Sequence, residues 1–203
     1  PDPNPLFRHH SPRAGSPSPV VACTFEMLRS SLIFTLVLVG LAPLPATPGP
    51  GPDGWEALST PAQSFEVEDL QGRPLSSKDL TGRVVILDFW ATWCSPCLRE
   101  LPELVEYHRR LEGRDDVTLL SFNVTDERAD LEAFLAERRI AFPVYLGDEL
   151  IGPYELVAFP TKLVIDMREP GPGGRGVVRF RREGYTPATS IEARVVELLA
   201  STP

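Results

Sequence analysis

The chain has 203 residues, 42% of them hydrophobic, which is enough for one folded domain with a sizeable core but short for two. Its net charge of −8 argues against nucleic acid as the main partner, because phosphate binding needs a basic surface. Its three cysteines are too few for a disulfide-rich scaffold or for a four-cysteine zinc site.

The first 62 residues differ in composition from the rest and hold 12 of the 22 prolines. Residues 1–26 show no hydrophobic periodicity and are expected to be a disordered extension upstream of a translation start at Met27. Residues 27–46 have the layout of a secretory signal, one arginine followed by an apolar run. A membrane anchor is the alternative, although prolines end the run short of the roughly 20 residues that a spanning helix needs. Residues 47–62 predict a Pro/Gly-rich linker.

Residues 63–203 predict a domain in which short strands and helices alternate. Apolar runs indicate buried strands, and apolar residues at helical spacing indicate helices. The predicted strands are 65–70, 84–90, 117–124, 142–146, 161–166 and 177–182. The predicted helices are 95–111, one capped by Thr125 or Asp126, a short one within 148–156, and one capped by Thr186 with Pro187 in its first turn. This order favours an α/β layer fold around a mixed sheet.

Two cysteines, Cys94 and Cys97, directly follow a predicted buried strand and open a predicted helix. Cys94 is expected at the helix N-terminus, where free N–H groups and the positive end of the dipole stabilise a thiolate. The thiolate is the attacking species in disulfide exchange. Cys97 follows about one turn later, which suits a thiol that resolves a mixed disulfide. The pattern predicts a redox-active pair.

A CxxC spacing alone is also compatible with half of a zinc site or with two inert core cysteines. The chain has no second Cys/His pair, and His108 is isolated on the predicted helix. The Ser-Pro dipeptide between the cysteines sits poorly in a purely apolar core. No metal and no cofactor are therefore expected besides the redox-active disulfide.

The stretch 87–97, LDFWATWCSPC, resembles the thioredoxin superfamily. The continuation LRELPEL, with its xxExP after the CxxC, resembles the TlpA/ResA-type extracytoplasmic thioredoxins, whose domain is related to the redoxin or AhpC-TSA group. The resemblance covers roughly residues 62–200. It implies a thioredoxin-like fold, with a central mixed sheet flanked by helices, an N-terminal β extension and a central αβ insertion between residues 125 and 146.

The resemblance also implies roles for single residues. Cys94 would be the nucleophile and Cys97 the resolving thiol. Pro160, in the stretch AFPTK, would be the cis-proline beside the CxxC. The expected substrate-binding surface consists of Trp93, Ser95, Pro96, Phe159 and Pro160, with Phe159 offering its backbone to an extended substrate.

Two acids are candidates for the general base. Glu100 would be the family's acid on the active-site helix, whereas Asp88 matches the buried acid of general thioredoxins. The TlpA-like pattern often has an amide or another residue at the position of Asp88, so this chain carries both acids. We expect Asp88, Glu100 or both together to act, and Glu100 has the alternative role of complementing the helix dipole.

The implied function is that of an extracytoplasmic, periplasmic thiol-disulfide oxidoreductase that reduces disulfides of partner proteins, with cytochrome c maturation as one task. The expected partners are disulfide-containing client proteins and a membrane thiol donor such as a DsbD-like or CcdA-like protein. The chain is expected to be monomeric, to bind no nucleic acid and to carry a membrane tether if the signal stays uncleaved.

Two other functions stay open at this point. A peroxiredoxin-type peroxidase needs a Pro-x-x-x-Thr-x-x-Cys arrangement, but Leu87 and Ala91 stand at the proline and threonine positions before Cys94. A non-enzymatic binding or chaperone module would use the cis-proline groove, and the intact CxxC weighs against it.

Overall fold

The computed structural model describes residues 49–171 and 173–202. The predicted extension at 1–26, the predicted signal or anchor at 27–46 and the first two residues of the predicted linker lie outside the described residues. In the described part of the chain, no helix combines the length and the apolar character needed to cross a membrane.

The described residues form eight strands and four α-helices, and a 3₁₀ turn at Ser77–Leu80. The strands are β1 Glu56–Pro61, β2 Glu66–Glu68, β3 Pro74–Ser76, β4 Val84–Trp90, β5 Val117–Asn123, β6 Val144–Leu146, β7 Thr161–Asp166 and β8 Val177–Glu183. The helices are α1 Ser95–Leu111, α2 Arg128–Arg138, α3 Asp148–Ile151 and α4 Ala188–Ala200.

Six strands form one mixed sheet in the order β1-β8-β7-β4-β5-β6, and β2 and β3 form a separate hairpin. Strands β4, β5 and β6 are parallel, whereas β7, β8 and β1 continue the sheet antiparallel from β4. This mixed sheet, flanked by helices, confirms the predicted fold class. The predicted central insertion corresponds to α2 and β6.

Strand β4 lies inside the sheet and is buried along its whole length, as its unbroken apolar run predicts. Its odd-numbered side chains, such as Leu87 and Phe89, join the core on one face of the sheet. Val84 and Ile86 join the core on the other face, together with α1 and α4. The cysteines therefore follow a strand that is covered on both faces and paired along both edges.

The linker prediction is wrong for residues 56–61, because they form the edge strand β1, paired antiparallel with β8. Just before it, Trp55 is buried and its Nε1 donates a hydrogen bond of 2.9 Å to Ser190 Oγ at α4. The folded domain thus begins before residue 63. Most of the side chains of β1 are exposed, so the strand shows little apolar pattern in the sequence.

Both predicted helix caps are also wrong. Helix α2 begins after Glu127 without a side-chain cap, because Asp126 is bound to Thr92 and Asn123 instead. Helix α4 begins after Pro187, and the hydroxyl of Thr186 donates to the Gly184 carbonyl. In both cases a polar side chain that suits a cap is hydrogen-bonded to a different partner.

Candidate active site

The two cysteines lie where β4 passes into α1. Cys94 is the N-cap residue of α1, and it forms a disulfide with Cys97, with 5.3 Å between the two Cα atoms. The Sγ of Cys94 accepts a hydrogen bond of 3.3 Å from the backbone N–H of Cys97. In the reduced protein this N–H and the start of the helix favour a thiolate at Cys94. Pro96 follows in the first turn, where no helix hydrogen bond is lost.

An exposed aromatic surface adjoins the disulfide. The Phe159–Pro160 peptide bond is cis, which confirms that prediction. The indole of Trp93 is 62% exposed, and its ring meets the ring of Phe159 edge-on at 6.2 Å. Ser95 is exposed as well, Pro96 and Phe159 are half-buried, and Pro160 is buried. The structure therefore brings together the residues that the sequence predicts for substrate binding.

Asp126 fixes the loop that carries the cysteines, a role that the sequence analysis missed. Its carboxylate accepts hydrogen bonds of 2.7 Å from the backbone N–H and the hydroxyl of Thr92. It accepts a third, also of 2.7 Å, from the side-chain amide of Asn123. The parallel pairing of β4 with β5 explains the contact, because it places Trp90 beside Asn123 and brings both strand ends to one edge. Trp93 is tied to the same region through Thr125, whose hydroxyl accepts from the indole N–H at 3.0 Å.

A cluster of three buried charged residues, Asp88 in β4, Glu100 in α1 and Lys162 in β7, is here called the Lys162 cluster. The Nζ of Lys162 is 2.8 Å from Asp88 Oδ1 and is hydrogen-bonded to Glu100 Oε1. The other carboxylate oxygen of Glu100 accepts a hydrogen bond of 2.9 Å from the backbone N–H of Thr186. The side chain of Lys162 is 0% exposed, and both acids are as well buried.

Both acids of the Lys162 cluster were predicted from the sequence, and the lysine was not. Lys162 stands second in β7, directly opposite Asp88 in β4. A lone lysine in an otherwise buried strand, TKLVID, is the signal that could have found it, once the register of the two strands is known. The charge of Asp88 is therefore paired.

Glu100 lies beyond the first turn of α1 and is buried, so the alternative role of complementing the helix dipole is wrong. The pKa of Glu100 is raised to about 7. Burial is the largest cause; the ammonium of Lys162 opposes it and the carboxylate of Asp88 adds to it. A carboxyl group with this pKa gains and loses a proton near neutral pH. Glu100 follows Cys97 by three residues on the same helix, which places the two side chains on one face.

The arrangement supplies the parts needed for disulfide exchange: a thiol at a helix N-terminus, a second thiol one turn later, an exposed apolar contact surface and a buried proton acceptor. Among the residues that the structure describes, no three His, Cys, Asp or Glu side chains are grouped so that they could hold a metal ion.

Sequence comparison relates the chain to known proteins. Residues 58–169, which include both cysteines and Pro160, match the AhpC/TSA family. The thiol-disulfide oxidoreductase ResA of Bacillus cereus is 33% identical over 107 residues, which are 52% of this chain and 61% of that protein. ResA of Bacillus subtilis is 29% identical over 117 residues, 56% of this chain and 65% of that protein. The chain thus spans less than two thirds of the length of these relatives.

Solved structures show the same architecture. A thiol:disulfide interchange protein of the thioredoxin family from Chlorobium tepidum is 28% identical, with a TM-score of 0.58, covering 70% of this chain and 97% of that one. An exposed lipoprotein thioredoxin from Streptococcus pneumoniae is 26% identical, with a TM-score of 0.57, covering 66% of this chain and 99% of that one.

Proposed function

We propose that this chain, which belongs to the AhpC/TSA family and to the ResA-like proteins of the thioredoxin superfamily, is a thiol-disulfide oxidoreductase that reduces disulfide bonds of partner proteins. The observation that carries the proposal is the disulfide between Cys94 and Cys97 at the start of α1. It lies beside an exposed aromatic surface that suits an unfolded or extended client segment. Trp93, Ser95, Pro96, Phe159 and Pro160 are the residues proposed to contact that segment.

The proposed reaction transfers two electrons from the dithiol to the client. The thiolate of Cys94 attacks one sulfur of the client disulfide, so that a mixed disulfide forms and the other client sulfur leaves and takes up a proton. Cys97 then loses its proton to a carboxylate of the Lys162 cluster, and its thiolate attacks the Sγ of Cys94. The second client sulfur leaves as a thiolate and takes up a proton, and the Cys94–Cys97 disulfide closes.

Glu100 is the proposed proton acceptor in the second step, with Asp88 as its partner. It is the acid that shares a helix face with Cys97, and its pKa of about 7 keeps a substantial fraction ionised near neutral pH. An ordinary glutamate would be ionised at that pH too, but it would bind the proton of a thiol only weakly. A raised pKa therefore makes Glu100 the better base for this transfer.

The proposed setting is outside the cytoplasm. It is supported by the signal predicted at 27–46 and by the solved relative that is an exposed lipoprotein. A membrane thiol donor of the DsbD or CcdA kind would return the protein to its dithiol form, because each turnover leaves the disulfide. We propose a monomer, and cytochrome c maturation as one task on the strength of the resemblance to TlpA/ResA-type proteins.

The proposal is tested by trapping the intermediate. Cys97→Ser leaves the attacking thiol in place and removes the resolving one, so reduced Cys97→Ser protein incubated with oxidised insulin should accumulate a covalent adduct. Non-reducing electrophoresis would show the adduct as a band that dithiothreitol removes. The Cys94→Ser/Cys97→Ser protein is the matched control and should show none. If Cys97→Ser protein forms no adduct, the proposed order of attack is wrong.

A further inference from the structure

Lys162 is an unusual residue for the interior of a sheet. Its side chain is fully buried between β4 and α1, where an ammonium is costly unless it is paired. It faces two carboxylates rather than one, through Asp88 Oδ1 at 2.8 Å and through Glu100 Oε1. One positive and two negative charges leave the Lys162 cluster with one surplus negative charge when both acids are ionised. A single proton makes the cluster neutral.

Among residues 49–171 and 173–202, no other charged side chain forms an ion pair with the two acids. On β8, Arg182 stands opposite Lys162, but it donates its Nη2 hydrogen bond to the Tyr185 carbonyl. On α1, Glu103 is bound to the Tyr185 hydroxyl and to the backbone N–H of Ala188. On β5, the neighbour of Asp88 is the neutral Ser121.

The loop before α4 contributes one contact to Glu100, a hydrogen bond donated by the backbone N–H of Thr186. In the described part of the chain, Lys162 is thus the cation that contacts the two acids. The ammonium of Lys162 is therefore the main group that stabilises the ionised form of these buried carboxylates, since backbone N–H groups and neutral side chains contribute less.

We propose that Lys162 is a positioning residue that stabilises the ionised carboxylate of Glu100 and thereby keeps a proton acceptor available beside Cys97. The inference rests on the function proposed above, because it concerns the resolving step. In that step the S–H bond of Cys97 breaks and an O–H bond forms on Glu100. The Cys97 thiolate then forms the new bond with Cys94 Sγ while the Cys94–client disulfide bond breaks, and the client sulfur leaves with that bond's electron pair.

The sign of the pH effect follows from the causes of the Glu100 shift. The pKa of about 7 is the net result of burial, which raises it most, and of Lys162, which is the largest influence that lowers it. Removing the ammonium leaves burial and the Asp88 carboxylate, both of which raise the pKa. The ionised fraction of Glu100 at pH 7 then falls, and the resolving step should need a higher pH.

The test uses a probe that needs no client protein. Reduced protein is mixed with Ellman's reagent, whose first thionitrobenzoate is released when Cys94 attacks. The second is released when Cys97 resolves the adduct, and its absorbance gives the rate of that step. In Lys162→Met protein the pH of half-maximal resolving rate should rise by about one unit or more. The rate at pH 7 should fall about fivefold or more, since a one-unit rise from a pKa of about 7 lowers the ionised fraction of Glu100 at pH 7 from about one half to about one eleventh.

Two controls separate this role from a merely structural one. Lys78→Met removes the charge of an exposed lysine in the 3₁₀ turn and should leave the profile unchanged. In a Glu100→Gln background, adding Lys162→Met should cause no further shift, because the acid through which the lysine acts is gone. If Lys162→Met alone does not fold, Asp88→Asn/Lys162→Met is compared with Asp88→Asn, and an upward shift is again expected.

An unchanged pH profile in folded Lys162→Met protein would overturn the inference, and so would an equal shift in the Glu100→Gln background. These results differ from a failure of the proposed function itself. In that case the wild-type protein would release only one thionitrobenzoate per adduct at every pH, because Cys97 would not resolve it.

Discussion

Replacing Cys94 by serine is expected to lower the reduction of insulin disulfides to the uncatalysed rate. A serine hydroxyl is not ionised near neutral pH and forms no mixed disulfide, so both half-reactions lose their entry point. The helix N-terminus and the N–H of Cys97, which contacts the Cys94 sulfur, stabilise a thiolate and cannot compensate for its absence. The measurement is the rate of insulin precipitation with dithiothreitol as the electron source.

Cys97→Ser is the matched control for this loss. It keeps the attacking thiol and should form one mixed disulfide per protein, yet without a resolving thiol its turnover should be slow and should depend on added dithiothreitol. The two variants remove the same disulfide, so an effect on folding would be common to both. Turnover that survives in Cys94→Ser protein and disappears in Cys97→Ser protein would reverse the assigned roles.

Replacing Trp90 by alanine is expected to lower the free energy of unfolding by about 3–5 kcal/mol, the range for removal of a large buried aromatic side chain. Trp90 ends β4 and is almost fully buried directly before the cysteine loop. Its ring packs against Phe134 with 5.8 Å between centroids, and its Nε1 donates a hydrogen bond of 2.8 Å to Ser121 Oγ. Urea unfolding of the oxidised protein measures the loss.

Trp93 and a conservative variant supply the controls. Trp93→Ala removes an indole of the same size that is 62% exposed, and it should lower the free energy of unfolding by less than about 1 kcal/mol. Trp90→Phe keeps most of the apolar contact but leaves the buried Ser121 hydroxyl without this donor, and should lie between the two. Equal unfolding midpoints for Trp90→Ala and Trp93→Ala would show that Trp90 does not support the site.

The parts of the fold that were predictable are those in which burial and periodicity coincide. Strand β4 is apolar throughout because both of its faces are covered, and α1 repeats its apolar residues at helical spacing, so the bounds of both were predicted correctly. Strand β1 was missed because its side chains are mostly exposed, and it is held by backbone pairing with β8. Such pairing leaves no pattern in the sequence.

The residues of the site also fall into those that the sequence predicts and those that it does not. The cysteines and the cis-proline belong to short motifs that the sequence displays directly. Lys162 and Asp126 act on residues far away in the chain, and their contacts depend on the register of neighbouring strands. From the sequence alone, Lys162 is one residue of a predicted strand and Asp126 is a candidate helix cap. Their contacts follow only from the pairing of the strands.

The most direct test of the account is an electron balance. Reduced protein is mixed with an excess of oxidised insulin and quenched with acid at intervals, and free thiols on each protein are counted after alkylation and mass spectrometry. Each Cys94–Cys97 disulfide that forms should be matched by one insulin disulfide lost, and a Cys94-linked adduct should appear and decay between the two. Insulin disulfides that persist while Cys94 and Cys97 stay reduced would contradict the proposed reaction.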